Sequence, residues 1–202
     1  ELIDHPFEIG DFKKFEFMVA DVPHFLVVSG SVIADWDRLV TDVTRTCWGH
    51  VNFFGELPAM HKYVFFLNVL GKGYGGIEHR SASTLLCSRN ELPVIGVEDS
   101  TEEYRTLLGL FSHEYFHLWN VKRIKPEVFT NPNLNMEAYT RQLWIFEGIT
   151  SYFDNLNLIR NGIIDLENYM QFLQKDITTL LQNPGTNIQT LEESSFDAWI
   201  KF

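Results

Sequence analysis

The amino-acid sequence predicts an α+β fold in which a mixed sheet lobe, over about residues 1–98, packs against a helical lobe over about residues 99–202. Short alternating or continuous apolar segments fill the first half, whereas helical periodicity dominates the second half. No internal repeat or low-complexity tract divides the chain. With 202 residues, 45% of them hydrophobic, the chain can bury one sizeable core. We therefore interpret residues 1–202 as a single domain with two lobes.

Five short strands are predicted in the sheet lobe, at residues 13–20, 25–28, 63–70, 77–80 and 84–89. The first alternates apolar with other residues, which is the pattern of a strand with one buried face. The third is a continuous apolar run, typical of a strand buried on both faces. A glycine cluster over residues 71–76 predicts a flexible connection to the fourth strand. The sheet is therefore expected to be mixed or antiparallel.

Four helices are predicted, at about residues 35–48, 100–120, 136–160 and 165–183. The second is expected to begin with a capping box formed by Ser100 and Glu103. The third contains Gly148, and a glycine inside a helix suggests the close approach of another group. Asp165 is the expected N-cap of the fourth helix.

Composition excludes several classes of function. The chain carries 16 Lys and Arg against 27 Asp and Glu, a net charge of −11, which argues against a nucleic-acid or anionic-membrane partner. Cys47 and Cys87 are too few for a disulfide scaffold and form no CxxC pair, which excludes a zinc site made of cysteine clusters. No run approaches the ~20 apolar residues of a membrane span. The chain is expected to be soluble.

The start of the chain carries no recognisable targeting signal. It begins at Glu1, and no basic-then-apolar segment follows, so we expect an excised or processed piece of a protein. The sequence does not determine whether the compartment is cytoplasmic or periplasmic, nor does it determine the oligomeric state.

The main chemical motif is HEYFH, an H-E-x-x-H pattern on the second predicted helix. His113 and His117 are four residues apart, so both imidazoles lie on one side of the helix and can bind one metal ion. Glu114 lies beside them, where it can take a proton from a water that the metal activates and pass it to the leaving amine. The pattern predicts a metal-dependent hydrolase.

A catalytic zinc site usually needs a third protein ligand, and Glu147 is the best candidate. It is a lone carboxylate in an apolar helical stretch, where a charge needs a partner. A salt bridge to Arg141 or Arg160 is the structural alternative. A ligand set of two histidines and one carboxylate makes zinc the default metal, and cobalt and manganese are the alternatives.

Two more polar residues fall on the helical face that carries Glu147. Thr150 and Asp154 lie three and seven residues beyond it. Asp154 is a candidate for orienting a ligand imidazole, and an ordinary solvated aspartate is the alternative.

Three sequence blocks resemble the glycyl aminopeptidase family of zinc metallopeptidases. The blocks are GGIEHR at residues 75–80, SHEYFHLWNVKRIKP at residues 112–126 and WIFEGITSYF at residues 144–153, and they occur in the order found in that family. The resemblance extends over nearly the whole chain. It implies a thermolysin-like gluzincin catalytic domain, with its sheet lobe packed against the HExxH helix.

The resemblance also implies an activity and a set of metal-site roles. The expected activity is that of an aminopeptidase acting on peptides with a free N-terminus, with a preference for small first residues such as glycine or alanine. His113, His117 and Glu147 match the zinc ligands, and Glu114 matches the general base.

A substrate-binding strand is implied by the same resemblance. Gly75, Gly76, Ile77, Glu78 and His79 match a strand that lies along the substrate backbone in related aminopeptidases, where its glutamate binds the α-amine of the peptide. A carboxylate at the end of a cleft favours an ammonium group over a mid-chain peptide bond. Without the resemblance, Glu78 could be a structural residue paired with Arg80 or Lys72. His79 could donate to the substrate carbonyl or be a core histidine.

Other family features have no match in these 202 residues. Members usually carry a β-rich N-terminal domain and a C-terminal PDZ domain, so the chain is expected to be the catalytic core of a longer protein. An oxyanion-stabilising tyrosine is not identified. Two alternatives stay open: an endopeptidase with the same zinc site, and a non-catalytic module that binds zinc or peptides. His5, His24, His50 and His61 are expected to be structural or surface residues.

Overall fold

The structure is a computed structural model that describes residues 4–201, with side chains described through residue 198. The strands are Phe12–Val19 (β1), Val22–Ser29 (β2), Tyr63–Leu70 (β3), Gly75–Glu78 (β4) and Ala82–Ser88 (β5). The α-helices are Trp36–Phe54 (α1), Glu102–Phe116 (α2), Ile149–Arg160 (α3), Leu166–Gln182 (α4) and Leu191–Lys201 (α5). A π-helical turn, Trp144–Gly148, leads directly into α3. Short 3₁₀ turns lie at Arg89–Glu91, Glu127–Phe129 and Pro184–Asn187.

The five strands form one mixed sheet in the order β1-β2-β3-β5-β4. The central pairs β2–β3 and β3–β5 are parallel, and the outer pairs β1–β2 and β5–β4 are antiparallel. Ala20 and Asp21 join β1 to β2 with φ values of 46° and 61°, the left-handed conformation of a tight hairpin turn that suits twisted strands. This topology leaves β4 at one edge of the sheet.

The core lies between the sheet and α2, with α1 and α3 packed on the other sides of α2. Leu26, Phe65 and Leu85 contribute from the sheet, and Leu107 and Phe111 contribute from α2. Most of α2 is buried, which explains why its apolar residues are distributed around the helix rather than on one stripe. The HExxH motif is therefore carried by the central helix of the fold.

Several element boundaries differ from the sequence predictions. Residues 71–76 are not wholly a flexible connection, because Gly75 and Gly76 begin β4 and pair with Leu86 and Leu85. The fourth strand is accordingly Gly75–Glu78 rather than 77–80. The prediction that β3 is buried on both faces is wrong, since fully and partly buried residues alternate along it.

The helical half departs further from the prediction. Thr101, not Ser100, caps α2 by accepting from the Tyr104 backbone N–H, and α2 ends at Phe116 rather than near residue 120. The predicted helix 136–160 is regular only from residue 149, after the π turn. A Cβ added at Gly148 would meet no atom within 4 Å, so the close approach predicted there is wrong. Helix α5 was missed.

Other expectations agree with the structure. Asp165 caps α4 by accepting from the Asn168 backbone N–H. Both cysteines, Cys47 and Cys87, are buried free thiols. Within the described residues, no helix combines the length and the apolar character that crossing a membrane requires.

Candidate active site

The two histidines of HEYFH lie at the C-terminal end of α2. Their ring centroids are 4.7 Å apart and the ring planes are nearly perpendicular, and both Nε2 atoms lie within 3.6 Å of Glu147 Oε2. His117 is the C-cap residue and is almost fully buried, whereas the side chain of His113 is partly exposed. The helical spacing therefore produces the pair of nitrogen donors that the sequence indicates.

Glu147 comes to the same point from the π-helical turn. Its Oε2 lies 3.2 Å from His113 Nε2 and 3.6 Å from His117 Nε2, and the three donor atoms all lie within 4.8 Å of one another. Zinc bonds of ~2.0–2.1 Å in a tetrahedral arrangement place donor atoms about 3.4 Å apart. The three residues therefore fit a four-coordinate zinc ion with one open position. The salt bridge to Arg141 or Arg160 is absent among the described residues.

The charges at this point favour a cation. Burial acts to lower the pKa of His113, but hydrogen bonds with Asp154 and Glu147 outweigh it and raise that pKa to about 10. His117 shows the same balance between burial and its bond to Glu147, and its pKa is also raised. Burial opposes the charged form of Glu147, yet the two histidines hold the pKa of its carboxyl well below the usual range. A divalent metal would replace the protons that the histidines hold here.

Each histidine is oriented through its other ring nitrogen. His113 Nδ1 lies 3.4 Å from Asp154 Oδ2 on α3 and donates to it. His117 Nδ1 donates to the backbone carbonyl of Asn120 at 2.8 Å. Such contacts fix the tautomer that leaves Nε2 free to bind a metal. Asp154 therefore lies where the sequence analysis expects an orienting residue, whereas Thr150 hydrogen-bonds with Asn120 and Phe146.

Asn120 is a residue that sequence reasoning left without a role. Its side-chain amide donates to the Ile145 carbonyl and to Thr150 Oγ1, both at 3.2 Å, and Thr150 in turn donates to the Phe146 carbonyl. The main chain of Asn120 thus holds His117 while its side chain holds the turn that carries Glu147. No local pattern in the sequence indicates this role, because the partners of the amide lie 25 and 30 residues away along the chain.

Ser112 connects α2 to its neighbours behind the metal donors. His50 Nε2 on α1 donates to Ser112 Oγ at 2.8 Å, and Ser112 Oγ donates to the Asp154 backbone carbonyl at 2.8 Å. The Asn157 amide also donates to Ser112 Oγ at 3.3 Å. This buried network fixes the position of α3, and hence of Asp154, relative to α2.

Glu114 is held between the histidines and β4. It is only 4% exposed, and burial raises the pKa of its carboxyl to about 7 against the opposing effect of His113 and His117. A Cβ added at Gly76 would lie 2.6 Å from Glu114 Cγ and 2.5 Å from Cδ. Only glycine therefore leaves space for this side chain. A carboxyl that titrates near neutral pH, beside metal donors, is suited to accept and return a proton.

β4 presents a backbone edge next to these groups. Within residues 4–201 it pairs only with β5, so its other edge is open to an extended chain. Ile77 is 62% exposed on this strand. Glu78 also lies close to the site, because one carboxylate oxygen each from Glu78 and Glu114 lie within 4.8 Å of each other and of a His117 nitrogen.

Glu78 has a partner that the sequence analysis did not anticipate. Lys122 Nζ lies 3.3 Å from Glu78 Oε1, so the alternative partners Arg80 and Lys72 are not the ones observed. His79 Nδ1 lies 3.6 Å from Asp4 Oδ1. The lysine follows the HEYFH helix in sequence, but its return to β4 depends on the tertiary fold.

The remaining histidines lie outside this cluster. His24 donates through Nδ1 to the Val22 carbonyl and bonds through Nε2 to the Tyr115 hydroxyl, each at 2.9 Å. His24 and His50 are buried, whereas His5 and His61 are exposed. Their placement agrees with structural or surface roles.

The chain is similar to known peptidases in both sequence and structure. A family model for the M61 glycyl aminopeptidases matches residues 106–202, a segment that includes all three proposed metal ligands. The chain is similar to the crystal structure of an aminopeptidase N family protein from Idiomarina loihiensis, with a TM-score of 0.92 and 41% sequence identity. That match covers 96% of this chain and 33% of the other, so this chain spans about a third of that relative's length. No curated protein gave a significant match.

Proposed function

Because the chain belongs to the M61 glycyl aminopeptidase family of peptidases, we propose that it is the catalytic domain of a zinc-dependent aminopeptidase. The observation that carries this proposal is the position of Glu114. It is a carboxylate that is not needed as a ligand, yet it lies beside three converging metal donors and against the edge strand β4. A purely structural zinc site has no need for such a group.

His113, His117 and Glu147 are the proposed zinc ligands. Zinc held there would polarise the scissile carbonyl and lower the pKa of water in its open position. The chain's own residues then have defined tasks. Glu114 accepts a proton from the attacking water at its carboxylate and returns it to the leaving amine, and its raised pKa suits both transfers. Asp154 holds His113 in the correct orientation.

The substrate is proposed to lie along β4 as an additional strand. Backbone groups from Gly75 to His79 would position the peptide, which brings its first peptide bond to Glu114. Glu78 would bind the terminal ammonium, so that a single residue lies before the peptide bond that is cleaved. The preference for glycine or alanine in the first position is part of the proposal and rests on the family.

The Glu78–Lys122 ion pair is the one observation that favours the endopeptidase alternative. A carboxylate that already has a cationic partner at 3.3 Å attracts a substrate ammonium less strongly. The two activities differ in their response to N-terminal acetylation. An aminopeptidase should release glycine from Gly-Ala-Ala but not cleave N-acetyl-Gly-Ala-Ala, whereas an endopeptidase should cleave the acetylated peptide.

The proposed function is tested by separating metal binding from turnover. Elemental analysis should find about one zinc per molecule in the wild type and in Glu114→Gln, and none in His113→Ala. Hydrolysis of Gly-Ala-Ala should fall by about 10²- to 10⁴-fold in Glu114→Gln. Glu103→Gln, an exposed glutamate on the same helix, is the matched control and should change neither quantity. Full activity in Glu114→Gln would refute the general-base assignment.

A further inference from the structure

A basic pocket lies beside Glu78, next to the candidate active site. It is a cavity of about 310 Å³ lined by Asp4, His5, Arg80, Ser81, Lys122 and Lys125. Lys122 links this pocket to the candidate active site, because its Nζ lies 3.3 Å from Glu78 Oε1. A group bound in the pocket would therefore be a neighbour of the proposed amine-binding carboxylate.

The pocket is positively charged in an otherwise acidic protein. Three cationic side chains line it against one carboxylate, that of Asp4, although the whole chain carries a net charge of −11. Burial lowers the pKa of Lys125, and repulsion by Lys122, Arg80 and Arg123 lowers it further against the attraction of Asp4. The positive potential in the pocket is thus not neutralised by its own acid.

Asp4 is shared among three groups, of which only Lys122 is one of the three cations of the pocket. Its Oδ2 accepts the Arg80 backbone N–H at 2.8 Å, and its Oδ1 lies 3.6 Å from His79 Nδ1 and 3.9 Å from Lys122 Nζ. Among the residues that the structure describes, no carboxylate lies within 4.0 Å of the Arg80 guanidinium or the Lys125 ammonium. Two cations therefore face the pocket with their donors available to a ligand.

We propose that the basic pocket is an anion subsite, in which Arg80, Lys122 and Lys125 bind a carboxylate or phosphate group. Arginine and lysine are the side chains that bind such groups by charge-assisted hydrogen bonds. The anion has two possible sources: the acidic side chain of the first residue of a peptide, or a free anion such as inorganic phosphate. The first source rests on the proposed function, and the second is independent of it.

The Glu78–Lys122 pair explains why an acidic first residue fits. An N-terminal aspartate carries an ammonium and a carboxylate a few bonds apart, and the pair presents the two opposite charges at 3.3 Å. When the substrate ammonium binds to Glu78, the substrate carboxylate binds to Lys122, so each of the four charged groups has a partner of opposite charge. A neutral first residue that binds Glu78 leaves Lys122 without that partner, which is unfavourable in a partly buried site. The pocket thus extends selectivity beyond glycine and alanine.

The peptide source is tested by binding to the zinc-loaded Glu114→Gln protein, in which turnover is suppressed. Calorimetry should give a Kd for Asp-Ala about tenfold or more below that for Asn-Ala, which matches it in size but lacks the charge. Lys125→Glu or Arg80→Glu should remove this preference. Lys175→Glu, on exposed α4, changes the net charge equally and should preserve the preference.

The free-anion source is tested by titrating sodium phosphate into the metal-free protein at constant ionic strength. Binding should weaken about tenfold or more in Lys125→Glu but not in Lys175→Glu. Phosphate binding without an Asp-Ala preference assigns the subsite to free anions. An Asp-Ala preference without phosphate binding assigns it to the peptide side chain. Equal Kd values for Asp-Ala and Asn-Ala, together with no phosphate binding that depends on Lys125, would overturn the proposal. Lys125-dependent phosphate binding with no dipeptide binding would overturn the proposed function alone.

Discussion

Replacing Gly76 by alanine should disable Glu114 while leaving the metal donors in place. The new Cβ would lie 2.6 Å from Glu114 Cγ and 2.5 Å from Cδ, whereas ordinary contacts between such atoms begin near 3.4 Å. Gly76 is held in β4 by its pairing with Leu85, so the backbone cannot easily retreat. The carboxylate must therefore move by about 1 Å or more.

The expected loss of activity follows from the proposed role of Glu114 as the general base. A displacement of about 1 Å in a catalytic arrangement can reduce the rate about 10²-fold, and complete loss of a general base costs about 10² to 10⁴. The three atoms nearest to the added Cβ all belong to Glu114 and none to a proposed zinc ligand. We expect kcat to fall at least about 10²-fold with zinc content unchanged.

The assay pairs zinc content with steady-state hydrolysis of Gly-Ala-Ala. Gly71→Ala is the matched control, because Gly71 precedes the same strand and an added Cβ there meets no atom within 4 Å. It should retain wild-type kcat. If Gly76→Ala binds zinc fully and keeps a third or more of the wild-type kcat, the argument that glycine is required to accommodate Glu114 is refuted.

Three further predictions concern the residues around the site and the core. Asn120→Ala should weaken zinc binding by about 10- to 100-fold, because the side-chain bonds to Ile145 and Thr150 that hold the π turn are lost, although the backbone carbonyl still accepts from His117. Competition with a chelator measures this, and an unchanged Kd would count against it. Asp154→Asn should lower the pKa of His113 in the metal-free protein, since the carboxylate that stabilises the charged ring is removed; an NMR titration with no shift would contradict this. Folding stability should fall as the pH drops below about 6.5. Burial lowers the pKa of His24 to about 4 and that of His50 to about 3. Both histidines therefore stay neutral in the folded state, whereas in the unfolded chain they bind protons. The loss is roughly 2 kcal/mol for each at pH 5. Urea unfolding at pH 7 and pH 5 should show a smaller difference in His50→Gln than in the wild type, and an equal difference would exclude the contribution of His50.

The parts of the site that are encoded locally could be predicted from the sequence. His113 and His117 are brought together by helical spacing alone, and a lone glutamate in an apolar stretch was enough to nominate Glu147. The apolar run of β3 and the cap of α4 are equally local signals, and both elements lie where they were predicted. Helical segments carry this information because their hydrogen bonds join near neighbours, whereas β3 is marked by its continuous run of apolar residues.

The parts that depend on distant contacts could not be predicted. The π turn that carries Glu147 is held by the Asn120 amide, which bonds to the Ile145 carbonyl. Glycines in the connection before β4 suggested flexibility, yet pairing with β5 makes Gly75 and Gly76 part of the sheet. Helix α5 contacts the π turn through Ser195 Oγ, which accepts the Trp144 backbone N–H at 3.0 Å. The Asn120–Ile145 and Trp144–Ser195 bonds join residues 25 and 51 positions apart, beyond one helical turn or hairpin, whereas β4 and β5 pair as a hairpin.

The open edge of β4 has a consequence for the behaviour of the protein in solution. A strand that can receive a peptide can also receive the edge of another molecule and so begin an ordered aggregate. Its four-residue length, its two glycines and the charge of Glu78 limit how many hydrogen bonds such a contact can form. The features that keep this edge available to a short peptide therefore also oppose self-association at high concentration.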